Sequence, residues 1–369
     1  MAKIALSMKP TGWFQIAWSK EIGVGEVKPL KYFGQDLVAF RTQSGKLHVF
    51  DAYCEHLGAH LGYGGTVRDE VLVCPFHGWE WNGEGRNVCI PYQDRPNKAR
   101  RIRTWPVAER NECAFIWHDV AGREPLFEVP DVFTGFDDGL TAGDFYPGYP
   151  VGTLIREKLE LHPQYVIENG VDFAHFKFVH RAAEVPRFTR QEFDDWVFHV
   201  AFDMTFRPSR KSAVQGAGTE IQGGAEAMNV GISLGLSRAW GADNMRSLVS
   251  VTPVDEDTSD IRSTSWFQRL PDDDSPELPE KLYRRLSIAN HQFLADVAIW
   301  EHQRYSEPPG LATAEAKGFR AVRRWATRFY PDEDTNRLLR LQDAGTEAPE
   351  DSYPEDEPVP VDRTTGTPG

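Results

Sequence analysis

The sequence contains little cysteine and no long apolar run. Four cysteines occur in 369 residues, namely Cys54, Cys74, Cys89 and Cys113, which is too few for a fold held together by disulfides. Their spacing relative to histidines is therefore more informative than their number. No segment approaches the roughly 20 apolar residues of a membrane-spanning helix, and the N-terminus lacks the features of a signal peptide. We expect a cytoplasmic protein with no membrane association.

Cationic residues are outnumbered by acids, 41 Lys and Arg against 55 Asp and Glu. The formal net charge is −14, and no basic stretch interleaved with aromatic residues stands out, so we expect no binding to nucleic acid. The acidity fits two interpretations, namely simple solubility or docking to a basic redox partner. No G-x-G-x-x-G sequence follows a predicted strand, so we predict no dinucleotide-binding domain.

Two regions of the chain differ in their periodicity. From Gly12 to Asp119, short β-like runs such as D-L-V-A-F alternate with glycine-containing turns, which predicts a compact all-β module. A second region combines a helix predicted over 163–179, several strand-like runs and a helix predicted over 279–305, which is typical of an α+β domain. The predicted boundaries are 12–120 for the β module, 121–150 for a connection, 151–340 for the second domain and 341–369 for an acidic, disordered tail.

Two short motifs in the β module each combine a cysteine with a histidine. C-E-H at 54–56 is followed, after 17 residues, by C-P-F-H at 74–77. Two thiolates and two imidazoles can hold a zinc ion or a Rieske-type [2Fe–2S] cluster, in which two cysteines bind one iron and two histidines bind the other. Zinc fingers usually pair Cys with Cys and His with His, whereas each motif here supplies one of each, which favours the cluster. The predicted ligands are Cys54, His56, Cys74 and His77.

The extended motifs C-E-H-L-G-A-H-L and C-P-F-H-G-W resemble the cluster-binding signature of Rieske oxygenases and ferredoxins. The resemblance covers roughly residues 12–305 and includes R-T-W-P-V and F-I-W-H-D. It is strongest to the branch of Rieske oxygenases that contains 3-ketosteroid 9α-hydroxylase and related sterol-oxidising enzymes. It implies an N-terminal all-β Rieske domain followed by an α+β catalytic domain of the helix-grip, START-like type, with an antiparallel sheet and flanking helices.

An acid and two histidines interrupt a strongly apolar stretch of the second region. Asp172, His175 and His180 lie among Val, Ile and Phe residues, and buried polar groups are costly unless they are paired or bind a metal. A buried helix with hydrogen-bonded histidines is the alternative interpretation. His175 and His180 differ by roughly 140° around an ideal helix. One of them should therefore lie where the helix ends or widens.

The pattern N-x-x-D-x-x-H-x-x-x-x-H, which starts at Asn169, resembles the mononuclear-iron motif of Rieske oxygenases. The resemblance implies that His175 and His180 bind iron. It also implies that Asp172 links the iron site to the cluster, and Asn169 is counted with it among the catalytic residues. A facial triad of two histidines and one carboxylate needs one more acid.

We predict the third iron ligand on the long C-terminal helix. Asp296 shares a helix face with Phe293 and Trp300, where an unpaired carboxylate would be costly. The segment A-D-V-A-I-W-E-H also resembles the one that supplies the acid in the steroid-hydroxylating branch. Glu301, on another face, is the competing candidate. The predicted substrate-pocket residues are Phe176, Phe293 and Trp300.

The resemblance implies a terminal oxygenase that uses O₂ to hydroxylate a small apolar substrate of steroid type. Electrons would come from NADH through a separate reductase, and cluster and iron would pair across a subunit boundary in a homotrimer. Asp172 would then bridge His175 to His56 or His77 of the partner subunit. Two alternatives stay open, namely the same chemistry on another substrate (sterol desaturation, dealkylation or aromatic-ring oxidation) and an electron carrier with an inactive second domain.

Overall fold

The computed structural model describes residues 6–182, 184–206, 221–241 and 244–331. Within these ranges the strands form three small sheets in the N-terminal part and one seven-stranded sheet in the rest, all of them antiparallel. This architecture confirms the predicted order of an all-β module and an α+β domain. No helix among the described residues has the length and apolar character needed to cross a bilayer.

The N-terminal module consists of eleven short strands in the described residues. The first sheet has the order β1-β11-β10 and consists of β1 (Gly12–Trp18), β10 (Val107–Arg110) and β11 (Cys113–His118). The second has the order β2-β3-β4-β9 and consists of β2 (Val27–Tyr32), β3 (Gln35–Arg41), β4 (Leu47–Asp51) and β9 (Thr104–Trp105). The third sheet is a meander of β5 (Thr66–Arg68), β6 (Val71–Val73), β7 (Glu80–Asn82) and β8 (Asn87–Cys89). The loop before β5 and the β6–β7 connection carry the two Cys/His motifs, so this meander positions them.

The second domain is built on one large sheet. Its strands, in the order β12-β18-β17-β16-β15-β14-β13, are β12 (Thr153–Leu159), β13 (Arg187–Phe193), β14 (Val197–Phe206), β15 (Ile221–Val230), β16 (Leu234–Trp240), β17 (Met245–Pro253) and β18 (Ser259–Phe267). The α-helices among the described residues are α1 (Pro163–Glu168), α2 (His175–Phe178), α3 (Tyr283–Trp300) and α4 (Thr313–Ala326).

The two faces of this sheet are buried by different partners because side chains alternate along each strand. Leu236 and Leu248, paired across β16 and β17, pack with Trp13 and Trp117 of the N-terminal module. The opposite face, which includes Phe198, packs on the helices. Full burial of one such side chain contributes about 1.5–3 kcal/mol. Because its two faces pack on different partners, the large sheet separates the helices that carry the second motif from the first sheet of the N-terminal module.

The helix predicted over 163–179 is wrong as a single element. α1 ends at Glu168 and α2 begins at His175. Gly170 lies so close to the sheet that an added Cβ would stand 2.9 Å from the Phe198 ring, and Asp172 Oδ1 accepts a hydrogen bond from the backbone N–H of His175 at 3.2 Å. α2 ends at Phe178, so His180 lies beyond it, as its angular offset from His175 predicts. The long helix is confirmed at Tyr283–Trp300, and the predicted tail at 341–369 lies outside the described residues.

Candidate metal centres

The two Cys/His loops of the N-terminal module have the same backbone conformation. The Cys54 carbonyl accepts a hydrogen bond from Gly58 N–H at 2.9 Å, and the Cys74 carbonyl accepts one from Gly78 N–H at 3.1 Å. Both glycines have positive φ, +74° and +69°, which glycine adopts without a steric penalty. Each loop therefore folds into a tight turn that holds its cysteine in the core.

The four predicted ligands of these loops converge. Cys54 and Cys74 are 2% and 3% exposed, and the rings of His56 and His77 lie 4.7 Å apart. The hydrogen bond between the two thiols lowers the pKa of Cys74 and raises the pKa of Cys54. His77 Nδ1 is buried without a hydrogen-bond partner among the described residues. An easily formed thiolate and an unsatisfied imidazole nitrogen are the donors that a metal centre requires.

The spacing of these donors distinguishes one ion from a cluster. Three or more His, Cys, Asp or Glu side chains whose ligand atoms lie within 4.8 Å of one another could hold a metal ion. Among the described residues, His175, His180 and Asp296 form such a group. No three donors of the Cys/His loops meet that distance. A single tetrahedral zinc ion, with ligands about 2.0–2.3 Å away, would draw all four together. A larger [2Fe–2S] cluster, with thiolates on one iron and imidazoles on the other, fits the donor set better.

The second centre lies between α2 and α3. His180 Nε2 is 3.3 Å from Asp296 Oδ1, and the side chains of His175, His180 and Asp296 are 8%, 15% and 12% exposed. Burial lowers the pKa of His175. Burial also acts to lower the pKa of His180, but the hydrogen bond and charge of Asp296 outweigh it, so that pKa is raised. Two imidazoles and one carboxylate in a largely buried position match a facial triad for ferrous iron.

The orientation of His175 leaves one ring nitrogen unprotonated, as metal binding requires. Its Nδ1 lies against the backbone carbonyl of Asp172, and since a carbonyl accepts hydrogen bonds, Nδ1 must carry the proton. Nε2 then keeps its lone pair, which is the arrangement expected of a metal-binding histidine. Asn169 Nδ2 lies 3.3 Å from that Nε2. The structure thus brings Asn169 and Asp172 onto the same imidazole from two sides.

The predicted pocket residues separate into two groups. The centroid of the Phe176 ring lies 4.2 Å from that of His175 and 4.8 Å from that of Phe202 of β14. Phe293 is partly buried beside the helical core. Trp300 is 6% exposed within that core and contacts Phe293 edge-on. Glu301 follows the end of α3 and is not part of the His/Asp group.

Sequence reasoning missed a buried ion cluster behind the second centre. Arg323 of α4 donates from Nε and Nη2 to the two carboxylate oxygens of Glu168 at 3.0 and 3.1 Å, and from Nη1 to the Ser306 carbonyl at 2.7 Å. Glu168 precedes Asn169, and Ser306 follows the helix that carries Asp296. Removing one partner of a buried pair typically costs about 3–5 kcal/mol. Arg323 thus ties together both segments that carry the His/Asp group. The carboxylate of Glu168 at the end of an apolar helix was the available signal.

Two family models match this chain. The Rieske [2Fe–2S] domain matches residues 12–106, and the 3-ketosteroid 9alpha-hydroxylase C-terminal domain matches residues 116–330, more than half of the sequence. The chain belongs to the Rieske oxygenase family that contains 3-ketosteroid 9α-hydroxylase. The resemblance stated from the sequence is thereby confirmed.

Two relatives of this Rieske oxygenase have names that state a steroid or sterol substrate, and a third protein shares its fold. The oxygenase component of 3-ketosteroid-9-alpha-monooxygenase from Rhodococcus rhodochrous is 30% identical over 329 residues, 87% of this chain and 84% of the relative. Cholesterol 7-desaturase from Hemicentrotus pulcherrimus is 28% identical over 354 residues, 88% of this chain and 70% of the relative. Dicamba monooxygenase bound to 3,6-dichlorosalicylic acid shares the fold, with a TM-score of 0.61 at 18% identity over 93% of this chain and 100% of that one.

Family and donor sets together confirm two cofactors, a [2Fe–2S] cluster and a non-haem iron, and with them an oxidoreductase of the Rieske oxygenase type. The assignment of individual residues to each cofactor stays a prediction. Metal analysis distinguishes these ligand assignments from the alternative, a zinc ion in the first centre.

We expect protein purified without oxygen to contain about three iron atoms and about two acid-labile sulfides per chain. Two irons and both sulfides belong to the cluster, and the third iron to the His175 centre. Chelation should remove the third iron first, because imidazole and carboxylate ligands hold Fe(II) less tightly than bridging sulfide and thiolate hold a cluster. Stoichiometric zinc without sulfide would contradict the assignment of the Cys/His loops. Metal and sulfide analysis before and after chelation gives both results.

Proposed function

We propose that this chain is a terminal oxygenase component that hydroxylates a steroid-type substrate, with electrons delivered from NADH by a separate reductase. The observation that supports this most directly is the His175, His180 and Asp296 group, whose ligand atoms lie within 4.8 Å of one another. When bound there, ferrous iron supplies dioxygen activation beside the substrate. Hydroxylation places one oxygen atom in the product and reduces the other to water, with two electrons and two protons. The Rieske centre supplies electrons one at a time.

The residues around the iron position have separate roles in this proposal. His175, His180 and Asp296 hold the metal on one side. The proton on Nδ1 of His175, held by the Asp172 carbonyl, keeps that imidazole in the metal-binding tautomer. The Asn169 amide, 3.3 Å from His175 Nε2, lies beside the position that the iron would take. Phe176, between His175 and the sheet, excludes water from the reacting side.

The sheet face beneath the helices supports a broad, apolar substrate. The strand positions that share this face with Val200 of β14 include a set of small side chains, all half-buried: Ala225, Ala227, Gly235, Ser237, Ala239 and Ser247. The adjacent positions, such as Leu236 and Leu248, are large and fully buried on the other face. Small side chains opposite the iron-bearing helices leave room for a flat ring system. The sterol names of both groups of relatives agree with this shape.

A second candidate activity is desaturation of a sterol. It is favoured by the cholesterol 7-desaturase relatives, which align over most of this chain. Both activities use the same two cofactors and the same substrate class. They differ in whether the oxidised carbon receives oxygen, or the neighbouring carbon also loses a hydrogen so that a double bond forms and both oxygen atoms leave as water. Oxygen-uptake assays with a generic reductase, run on steroids and on small aromatics with product identification, separate the two and test the substrate class.

Exposed apolar side chains near both centres support assembly of several copies. Leu57 and Phe76 of the cluster loops are 66% and 62% exposed, and Phe178, which ends α2 beside the iron site, is 77% exposed. Side chains this exposed are available to contact another copy. In the proposed homotrimer they cover each other, so that Asp172 lies between His175 and His56 or His77 of the partner subunit. The mass of the native protein in solution tests the trimer.

Enlarging a small residue of the sheet face should select against large substrates. Ala227→Leu is expected to lower kcat/KM for a steroid by about 10–100-fold, because overfilling a pocket costs about 1–3 kcal/mol for the groups that touch it. Turnover of a small aromatic should change less. Ala314→Leu, at an exposed position of α4, is the matched control. Equal losses for large and small substrates would contradict the proposed cavity.

A further inference from the structure

A strongly basic segment lies within this acidic chain. Residues 91–103 contain five cationic side chains and one acid, a net charge of +4 in a chain of −14. We call the five cations the basic flank. Its members, all exposed, are Arg95, Lys98, Arg100, Arg101 and Arg103. The charge of the whole chain conceals this segment, which the sequence analysis did not separate from its background.

The segment packs directly on the two cluster loops. Trp79 Nε1 donates a hydrogen bond to Tyr92 Oη at 2.7 Å, and the Trp79 ring stacks on His56 with centroids 4.4 Å apart and planes 7° apart. Pro91 lies against Gly78, where an added Cβ would stand 2.9 Å from the proline ring. The chain of contacts from Tyr92 through Trp79 to His56 connects the start of segment 91–103, which carries the basic flank, with a predicted cluster ligand.

The backbone of the segment is held in place. Asn97 N–H donates to Asn87 Oδ1 at 2.7 Å, and Arg101 Nε donates to the Glu84 carbonyl at 3.0 Å. Both acceptors lie in or beside the β7–β8 hairpin of the cluster meander. The positive charges are therefore presented at a constant place relative to the cluster loops.

Most of this charge is not neutralised within the described residues. Arg100 Nη1 lies 3.6 Å from Glu55 Oε2, a pair in which both side chains are about half exposed. Arg95, Lys98, Arg101 and Arg103 have no carboxylate within ion-pair distance in the described parts of the chain. The negative surface of the rest of the protein repels an acidic partner, whereas this positive region attracts it. The charge distribution therefore selects the orientation of docking.

We propose that the basic flank is the docking surface for an acidic iron–sulfur electron donor. In each encounter the donor's iron–sulfur centre is oxidised by one electron, and the cluster held by Cys54, Cys74, His56 and His77 is reduced by that electron. The inference rests on the proposed function, and it specifies the chemistry of the partner. It differs from docking to a basic redox partner, which was one of the two interpretations of the net charge. The exposed apolar tips of the loops, Leu57 and Phe76, remain for contact between copies.

The test compares two triple variants of the full-length protein with the same net charge. Arg95→Gln/Lys98→Gln/Arg100→Gln removes three charges from the basic flank. Lys281→Gln/Arg284→Gln/Lys317→Gln removes three exposed charges from the helical layer of the other domain. Reduction of the cluster is followed by its absorbance in stopped flow, first with a chemically reduced acidic [2Fe–2S] ferredoxin and then with dithionite.

We expect the second-order rate constant with the ferredoxin at low salt to fall about tenfold or more in the flank variant, with a weaker dependence on ionic strength. The control variant should change at most about twofold, and dithionite should reduce all three proteins at similar rates. Equal rates with ferredoxin for the two variants would overturn the proposal. The proposal would also be overturned if the flank variant differed from the native protein in oligomeric state, because the flank would then contact a second copy. Neither readout requires substrate oxidation, so failure of the proposed oxygenase activity is detected separately.

Discussion

Asp296→Ala should lose the mononuclear iron and more than about 99% of substrate oxidation while the cluster spectrum stays unchanged. Asp296 Oδ1 lies 3.3 Å from His180 Nε2, and its carboxylate is the one anion in the group with His175 and His180. Two neutral imidazoles alone hold ferrous iron weakly, and loss of even an outer contact to a metal ligand costs about 10–100-fold in affinity or activity. The cluster loops lie in another domain and make no use of this residue.

Metal analysis of the variant decides this prediction. Iron per sulfide should fall from about three per two to about two per two, and added Fe(II) should not restore turnover. Glu301→Ala is the control, because Glu301 also lies at the C-terminal end of α3 but outside the ligand group. Retained iron and activity in Asp296→Ala, or loss of iron in Glu301→Ala, would move the carboxylate ligand to the second acid.

The first centre was predictable because its geometry is local. Each loop has a cysteine, a histidine and a glycine within a few residues, and the turn that joins Cys54 to Gly58 and Cys74 to Gly78 follows from that spacing. The pairing of the two loops needs one short β-meander. The sequence therefore predicted this centre, and its type, without knowledge of the rest of the fold.

The second centre was partly predictable. The 140° offset between His175 and His180 on an ideal helix indicated an interruption near them, and α2 ends at Phe178. It did not reveal the earlier break after Glu168, which depends on the close approach of Gly170 to Phe198. Asp296 was predicted because a buried acid beside two aromatics on one helix face requires a cation, and because its segment resembles the one that supplies the acid in the steroid-hydroxylating branch. Its distance from His180 is a tertiary fact that the helix pattern does not contain.

The features that sequence reasoning missed depend on contacts between distant segments. Arg323 reads as one of several cations in the charged helix α4, and it becomes a structural residue because α4 packs on α1 and meets Glu168. The small-residue face of the sheet likewise depends on the register of four strands, which places Ala227 beside Ser237 and Ser237 beside Ser247. Neither register nor helix packing is specified by local periodicity.

Asp172→Asn should stop turnover while both metal centres stay intact. Asp172 Oδ1 accepts a hydrogen bond from the His175 backbone N–H at 3.2 Å and lies 3.9 Å from His175 Nδ1. Asparagine can keep the first contact through its own Oδ1, so α2 should still begin at His175. The side chain is 33% exposed, which leaves it accessible to a histidine of the partner subunit. Loss of its charge weakens a charge-assisted hydrogen bond in the electron path, and we expect steady-state oxygen uptake to fall about 100-fold.

The measurements that test Asp172 separate electron transfer from metal binding. Iron and sulfide content should match the native protein, because Asp172 is not among the predicted ligands of either centre. The cluster should be reduced by dithionite at the native rate, because dithionite delivers its electrons to the cluster without passing through Asp172. Asp195→Asn, at an acid whose side chain is 88% exposed, is the matched control and should keep full turnover. Normal turnover in Asp172→Asn would mean that this acid serves only to start α2. Loss of iron would mean that its effect passes through the position of His175 instead, since the carbonyl and carboxylate of Asp172 both contact that ligand.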